Sequence, residues 1–252
     1  MSTYTCSSDA EREFLENYDA SKYERPSVTA DIVIFTLDEE DKLNILLIKR
    51  NGFPYRGCWA IPGGFLNVGK ESIDEAAARE LKEETNVDGV FLKQLYTFGD
   101  VDRDPRTTVV SVAYTALVPK HSLDIKAGDD AQDAKLFRIK YELNGMAFIN
   151  GKIGLAEKDL AFDHAQIIKT AISRLRNRID YEDDAFNLLK NKEEFTISEL
   201  KKIYETIKNE KLNLPNFRKA FLRNYVETGK VQDLGRNTAT RGRSARLYRY
   251  LG

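Results

Sequence analysis

Short runs of apolar and β-branched residues, separated by polar turns, dominate the first 160 positions. The runs at 28–37 and 43–49 flank the acidic turn 38–41, and this pattern predicts a β-hairpin. The glycine- and proline-rich segment 51–70 predicts a loop, and the Ala, Glu, Leu and Lys content of 72–85 predicts a helix. Further strands are predicted over 90–98, 107–118 and 135–139. Strands and helices mixed in this order indicate an α/β layer fold.

Helical spacing replaces this pattern in the C-terminal third of the chain. Helices are predicted over 162–179, 181–189, 196–209 and 215–227. Asp163 is a candidate cap for the first of them, and Thr196 with Glu199 forms a capping-box pattern for the third. Pro215 near the start of the last helix and Gly229 after its end mark its limits. Strand-like segments follow at 230–234 and 245–250. The last three helices and this β-hairpin predict a winged helix-turn-helix.

These patterns divide the chain into four parts. We expect an N-terminal arm (1–26) with a short helix over 11–18, an α/β domain (27–160), a linking helix (161–180) and a winged-helix domain (181–252).

Composition excludes several classes of protein. The hydrophobic fraction of 42% and the charged fraction of 31% are typical of a globular protein. The sequence has neither an apolar run long enough to cross a membrane nor an apolar N-terminal signal, so we expect a cytoplasmic protein with no membrane partner. Cys6 and Cys58 are too few for a disulfide framework, and with two scattered His they do not form a zinc pattern. We therefore expect any metal to be held by oxygen.

Charge is distributed unevenly along the chain. The net charge is −1, but residues 181–252 contain 15 Lys and Arg against 10 Asp and Glu. From residue 211 to the end the count is 10 basic against 2 acidic residues. An acidic N-terminal part and a basic C-terminal part indicate different binding partners.

Three glutamates of the predicted helix over 72–85 form an acidic cluster. Glu80, Glu83 and Glu84 lie within about 100° of arc on one helix face. Their repulsion destabilises the helix by about 0.2–0.5 kcal/mol per pair, and Lys82 points the other way. Mg²⁺ prefers such hard oxygen ligands together with substrate phosphates. A solvated acidic face is the alternative interpretation, but the glycine loop before the helix and Arg79 within it favour a metal site.

This segment resembles the Nudix box, Gly-x5-Glu-x7-Arg-Glu-U-x-Glu-Glu-x-Gly-U with U aliphatic. The resemblance implies a Nudix α/β/α sandwich with a mixed sheet and Mg²⁺-dependent cleavage of a nucleoside diphosphate-linked compound, with Mn²⁺ as the alternative cation. It implies that the acidic cluster and the Gly63 carbonyl hold the metal. It also implies that Glu71 pairs with Arg79 to brace the loop, so that both belong to the catalytic set.

The sequence departs from the Nudix pattern at two positions. Six residues instead of five separate Gly64 from Glu71, so the loop is one residue longer. Asn86 replaces the final glycine, and Asn also tolerates the left-handed conformation at a helix end.

The region after the box resembles that of Nudix proteins which handle ADP-ribose. Arg50, Arg103 and Arg106 are candidates to bind phosphates, although each is equally well read as a surface arginine. Asp129 and Asp130 lie on a loop where some relatives place active-site carboxylates, and Asp130 is a candidate general base. Trp59 is read either as a base-stacking residue or, more simply, as part of the core.

The last predicted helix carries two opposed stripes. Asn216, Lys219 and Arg223 form a polar stripe, and the opposite face is apolar with Phe217, Phe221 and Tyr225. Such a stripe suits a helix that reads the major groove of double-stranded DNA. Arg241 and Arg243 lie in the predicted wing and are candidates for phosphate contact. A basic domain for protein contact, or a lid on the first domain, is the alternative.

A Nudix domain followed by a winged helix resembles the Nudix-related transcriptional regulators (NrtR-like), which release DNA on binding ADP-ribose. The segment Leu-Ala-Phe-Asp-His ending at His164 and the wing segment from Gly242 to Tyr248 carry this likeness. His164 is a candidate ligand contact, or else a structural hydrogen-bonding residue, and we expect a homodimer. Three functions stay open: a hydrolase that also regulates, a regulator that only binds ligand, and an enzyme without a DNA role.

Overall fold

The computed structural model describes residues 4–87, 89–125, 131–143, 145–238 and 244–252. Its helices are α1 (Asp9–Glu16), α2 (Ile73–Thr85), α3 (His164–Arg178), α4 (Ile197–Lys208) and α5 (Leu214–Phe221). Its strands are β1 (Ser27–Leu37), β2 (Leu43–Arg50), β3 (Trp59–Ala60), β4 (Gly63–Phe65), β5 (Lys93–Phe98), β6 (Val109–Leu117), β7 (Ala131–Glu142), β8 (Gly145–Asn150), β9 (Ile153–Ala156), β10 (Phe195–Thr196), β11 (Val231–Asn237) and β12 (Arg246–Tyr250).

A mixed sheet forms the centre of the N-terminal domain, with the strand order β5-β6-β1-β2-β7-β8-β9. Strand β1 runs parallel to β6 and antiparallel to β2. The short strands β3 and β4 pair with β2 and β1 outside this path. The predicted hairpin is confirmed, with Phe35 of β1 opposite Ile45 of β2.

Both faces of β1 are buried, and each face packs against a different helix. Ile34 belongs to the apolar cluster that contains Ala77 of α2. Val33 and Phe35 point to the opposite face, in the cluster that contains Ile168 of α3. Because successive side chains of a strand alternate between faces, one continuous apolar run serves both layers. The predicted α/β/α sandwich is confirmed.

Two segments of this domain differ from the prediction. The region 51–70, predicted as a loop, contains β3 and β4. Strand β3 pairs with β2, and β4 forms because its glycines pair with a strand that is distant in sequence, Gly63 opposite Asp31 and Gly64 opposite Ala30. The strands β8 and β9 were not predicted, and β7 extends over 12 residues where a short strand was expected.

The C-terminal domain contains α4, α5 and a three-stranded sheet in the order β10-β12-β11, which confirms the winged helix. The Thr196–Glu199 capping box is present at the start of α4. The helix predicted over 181–189 is a 3₁₀ helix, Asp183–Leu188, and α5 continues into a π-helical turn, Leu222–Val226. Aromatic rings fill the core, where Phe186 stacks on Tyr250 at 4.1 Å.

Helix α3 connects the two domains, and its predicted cap is wrong. Asp163 occupies the N-cap position without a side-chain hydrogen bond to the helix. Both of its carboxylate oxygens accept instead from Arg103, at 3.0 and 2.8 Å, because a charged partner binds a carboxylate more strongly than a backbone amide does.

The domains also contact each other directly. Arg176 of α3 donates through Nε to the Ile207 carbonyl of α4 at 2.9 Å. Lys93 of β5 lies 2.7 Å from both Glu182 and Asp184, just after α3. One apolar cluster includes residues of both domains. Residues of α3, or just after it, therefore contact both domains.

The N-terminal arm contains α1, which Ser8 caps and in which no residue is buried. None of the helices in the described part of the chain is long and apolar enough to cross a membrane.

Candidate active site and DNA-binding surface

Helix α2 carries the acidic cluster and has a cap at each end. The Ser72 hydroxyl accepts from the Glu75 amide, and the Glu75 carboxylate accepts from the Ser72 amide, which fixes the first turn. Asn86 ends the helix with φ 53°. The predicted left-handed conformation at this position is confirmed.

The three carboxylates of the acidic cluster differ in exposure. Glu80 and Glu84 are buried, whereas the Glu83 side chain is 53% exposed. Burial raises the pKa of Glu80, although Arg79 opposes the shift. A group that is costly to charge when buried gains most from a cation placed beside it.

Arg79 lies beside this cluster and compensates part of its charge. Its Nη1 is 2.7 Å from the Glu80 carboxylate and 3.4 Å from that of Glu83. Helical position rules out Lys82 as a partner for the cluster, but the long guanidinium of Arg79 reaches carboxylates one and four residues ahead.

Arg79 also holds the loop before the helix. Its Nε and Nη2 donate to Glu71 at 3.1 and 2.9 Å, so the predicted ion pair is present, and Nη2 reaches the Phe65 carbonyl at 3.3 Å. The Glu71 carboxylate also accepts from the Asn67 amide at 3.0 Å. The Arg79 guanidinium and these hydrogen bonds lower the pKa of Glu71 to about 2. The loop remains braced despite its extra residue.

Two glycines allow the loop to lie against the cluster. A Cβ at Gly64 would overlap the Glu80 carboxylate, and a Cβ at Gly63 would overlap the Asp31 carboxylate and the Ala30 carbonyl. Gly63 therefore requires glycine for space, because its Cβ would overlap the backbone of β1, whereas at Gly64 only the end of the Glu80 side chain would have to shift.

The donor chemistry of the cluster fits a hard divalent cation. The three glutamates are hard oxygen ligands, and Glu80 is buried where a cation would relieve its charge. Across the described ranges, no three His, Cys, Asp or Glu side chains converge as a metal cage. Mg²⁺ does not need one, since it usually binds through one or two carboxylates with substrate phosphates and water.

Two of the predicted phosphate-binding arginines lie in a cluster that we call the arginine–aromatic wall, formed by Arg50, Tyr55, Phe65, Arg106 and Phe162. Arg106 lies 5.4 Å from the Phe65 ring and 5.9 Å from the Phe162 ring. Arg50 lies 4.9 Å from the same Phe162 ring. The Arg106 side chain is 41% exposed, so a ligand can reach it from solvent.

The other two predicted ligand contacts, Arg103 and His164, are buried. The Arg103 side chain is 4% exposed and is held by Asp163. His164 Nδ1 accepts from the Ile61 amide at 3.0 Å, and burial lowers its pKa to about 3, so the ring is neutral at pH 7. This is the structural hydrogen bond that the sequence left open. Direct ligand contact by either residue stays a prediction.

Trp59 is a core residue, 6% exposed, with its ring edge-on to Phe137. Phe162 is a residue that sequence reasoning missed. It lies in the Leu-Ala-Phe-Asp-His segment, of which only the Asp and His were considered.

Helix α5 and the π-helical turn after it expose the polar stripe predicted for DNA contact. Asn216, Lys219 and Arg223 are exposed, while Phe221 and Tyr225 of the opposite stripe are buried. A helix that exposes amide, ammonium and guanidinium groups on one face can read base edges and phosphates. Four further candidates lie outside the described residues: Asp129, Asp130, Arg241 and Arg243.

Comparison with known proteins finds two family matches in the chain. The NUDIX domain family matches residues 26–151, and the NrtR DNA-binding winged helix domain matches residues 185–250. The chain is 32% identical over 244 residues to the ADPR responsive transcriptional repressor NtrR of Acinetobacter baylyi, covering 96% of this chain and 88% of that protein.

Two further proteins are similar, one to part of the chain and one to most of it. Over 161 residues the chain is 37% identical to the ADP-ribose pyrophosphatase of Methanocaldococcus jannaschii, covering 63% of this chain and 82% of that protein. The crystal structure of Shewanella oneidensis NrtR complexed with a 27mer DNA is similar with a TM-score of 0.69 at 30% identity, covering 89% of this chain and 93% of that one.

Proposed function

Since this chain belongs to the Nudix family and carries an NrtR DNA-binding winged helix domain, we propose that it hydrolyses ADP-ribose-type nucleotides with Mg²⁺ and regulates transcription in response to them. The observation that carries the proposal is the complete acidic cluster of α2 beside the arginine–aromatic wall. The similar proteins include a repressor that responds to ADPR and an ADP-ribose pyrophosphatase, which supports both halves of the proposal.

Each residue set has a separate role in the proposed hydrolysis. Glu80, Glu83, Glu84 and the Gly63 carbonyl would hold Mg²⁺, or Mn²⁺ in its place. When bound, the cation neutralises phosphate charge and activates water. The Glu71–Arg79 pair keeps the loop against α2, so that the carboxylates do not have to be ordered during the reaction.

A second candidate is a regulator whose Nudix domain only binds ligand. The contacts of Arg79 favour it, because this guanidinium already compensates Glu80 and Glu83. Turnover separates the two candidates, since ligand binding alone produces no AMP.

The proposed DNA-binding residues are Asn216 and Lys219 of α5 and Arg223 of the π-helical turn that follows it, with Arg241 and Arg243 in the wing. We include a homodimer in the proposal, because helix-turn-helix dimers recognise two half-sites at a fixed spacing. Light scattering with and without DNA measures the number of subunits.

The deciding experiment follows AMP release from ADP-ribose in Mg²⁺ by the parent protein and by Glu83→Gln. This change removes the charge of an exposed carboxylate with little change of volume, so we expect activity to fall by orders of magnitude while the unfolding midpoint stays the same. Lys82→Gln, on the neighbouring exposed position, is the control and should keep its activity.

Parent activity in the Glu83→Gln variant would show that the catalytic assignment is wrong. A parent protein that binds ADP-ribose but cleaves no pyrophosphate bond would support the regulator instead.

A further inference from the structure

Phe162 has a backbone conformation that is unusual for a bulky residue. Its φ is +50°, in the left-handed region, and it directly precedes Asp163 at the start of α3. Tyr55, whose ring lies 4.7 Å away, also has a positive φ of +61°. Such conformations are unfavourable for side chains with a Cβ and persist where the surrounding structure imposes them. The fold therefore holds two aromatic rings together at a conformational cost.

Two guanidinium groups share the Phe162 ring. Arg50 lies 4.9 Å and Arg106 5.9 Å from its centroid, both within the range of a cation–π interaction. Two like charges at one ring repel each other. The ring offsets part of this repulsion through its negative face, which an aliphatic side chain lacks.

Other contacts fix the orientation of both arginines. Asp104, itself buried, accepts from Arg106 Nε and Nη2 at 3.0 and 2.7 Å, and the Pro54 carbonyl accepts from Arg50 Nε at 3.0 Å. Each guanidinium is thus held at its Nε side and against an aromatic face. Such preorganisation reduces the entropy lost when a ligand binds.

The shared ring connects to the acidic cluster through a short series of contacts. Arg106 also lies over Phe65, and the Phe65 carbonyl accepts from Arg79, which pairs with Glu80. Phosphates placed against the arginines would therefore lie next to the carboxylates proposed to hold the cation.

We propose that Phe162 is a positioning residue that holds Arg50 and Arg106 as the two arms of a clamp for a diphosphate group. The identity of the nucleotide rests on the function proposed above, but the clamp itself requires only the diphosphate. Guanidinium groups bind phosphate oxygens bidentately, so one arm can serve each phosphate.

Three variants at this position separate the ring from the backbone. Phe162→Leu keeps an apolar side chain without the π system. Phe162→Asn removes the ring but tolerates the left-handed conformation, so that it folds even if leucine does not. Phe162→Tyr keeps the ring. Phe91→Leu is the matched control, since Phe91 also carries a cation, Lys93, at 5.9 Å but lies outside the wall.

Two ligands are titrated by calorimetry: ADP-ribose with Ca²⁺ to slow turnover, and inorganic pyrophosphate without metal. We expect Phe162→Leu and Phe162→Asn to bind both ligands with about 5–30-fold lower affinity, which corresponds to the loss of two cation–π contacts. Phe162→Tyr and Phe91→Leu should stay within about twofold of the parent. In turnover assays Phe162→Leu should raise KM more than it lowers kcat, because a clamp acts on binding.

The clamp is overturned if Phe162→Leu or Phe162→Asn binds pyrophosphate as tightly as the parent, or if Phe162→Tyr loses as much affinity as they do. If the parent binds pyrophosphate and the variants bind it more weakly, but the parent does not bind ADP-ribose, the clamp stands and the proposed nucleotide is wrong.

Discussion

Arg103 provides a test of whether a predicted ligand contact is instead part of the scaffold. Its side chain is 4% exposed and lies between Asp163, at 2.8 Å, and Asp31, at 3.6 Å. Asp31 is buried, which raises its pKa, and the Arg103 charge opposes this rise. Arg103→Met keeps the length of the side chain and removes the cation, so it leaves two carboxylates without their shared counter-ion.

Removing one partner of a buried ion pair costs about 3–5 kcal/mol, because the remaining charge is uncompensated. For a protein of this size about 1 kcal/mol corresponds to roughly 2–4 °C, so we expect the melting temperature to fall by about 6–20 °C. Adding Asp163→Asn to Arg103→Met should recover part of the loss, since one of the two carboxylates then becomes neutral.

Urea unfolding followed by circular dichroism measures these differences. Arg178→Met is the control, because this arginine is 47% exposed and pairs with Glu182 on the surface at 3.3 Å. Its loss should cost about 0.5 kcal/mol or less. If Arg103→Met unfolds like the parent but no longer binds ADP-ribose, Arg103 does not stabilise the fold and is a ligand contact, as the sequence predicted.

Three further predictions follow from the site, the DNA-binding surface and their connection. The His164 pKa of about 3 lies below that of an unfolded His, so the unfolded chain binds the proton first and stability falls as the pH drops below about 6.5. His164→Asn keeps an acceptor for the Ile61 amide but does not titrate. Between pH 7.5 and 5.5 its free energy of unfolding, measured with urea, should therefore fall by about 1.4 kcal/mol less than that of the parent. Binding to promoter DNA of the chain's own operon should weaken steeply with salt in fluorescence anisotropy, and Lys219→Gln or Arg223→Gln should reduce that slope; equal weak affinity for random DNA would contradict the regulator. ADP-ribose with Ca²⁺ should weaken DNA binding by about 5–150-fold, and DNA should weaken ADP-ribose binding by the same factor; identical titrations with and without DNA would show uncoupled domains.

Local sequence patterns predicted those helices and strands that are stabilised by contacts between residues close in sequence. Helix α2 is capped by Ser72 and Asn86, and both caps are contacts between residues close in sequence. The strands of the first hairpin were predicted from β-branched runs for the same reason. By contrast, β4 exists because Gly63 and Gly64 pair with β1, more than thirty residues away, and a glycine pair gives no strand signal of its own.

The partners of charged side chains were harder to predict than helices and strands, because the tertiary fold determines which charged groups lie close together. Asp163 has the residue type and position of a helix cap, yet Arg103 binds both of its oxygens from 60 residues away. Arg106, predicted beside Arg103 as a second phosphate contact, is part-exposed in the wall, although the two differ by only three positions. A sequence pattern can show that cations are near a site. Both arginines pair with a carboxylate through Nε and Nη2, Arg103 with Asp163 and Arg106 with Asp104. What separates a scaffold arginine from a ligand contact is therefore how far the fold buries its guanidinium, and the Arg103 and Phe162 variants measure this difference.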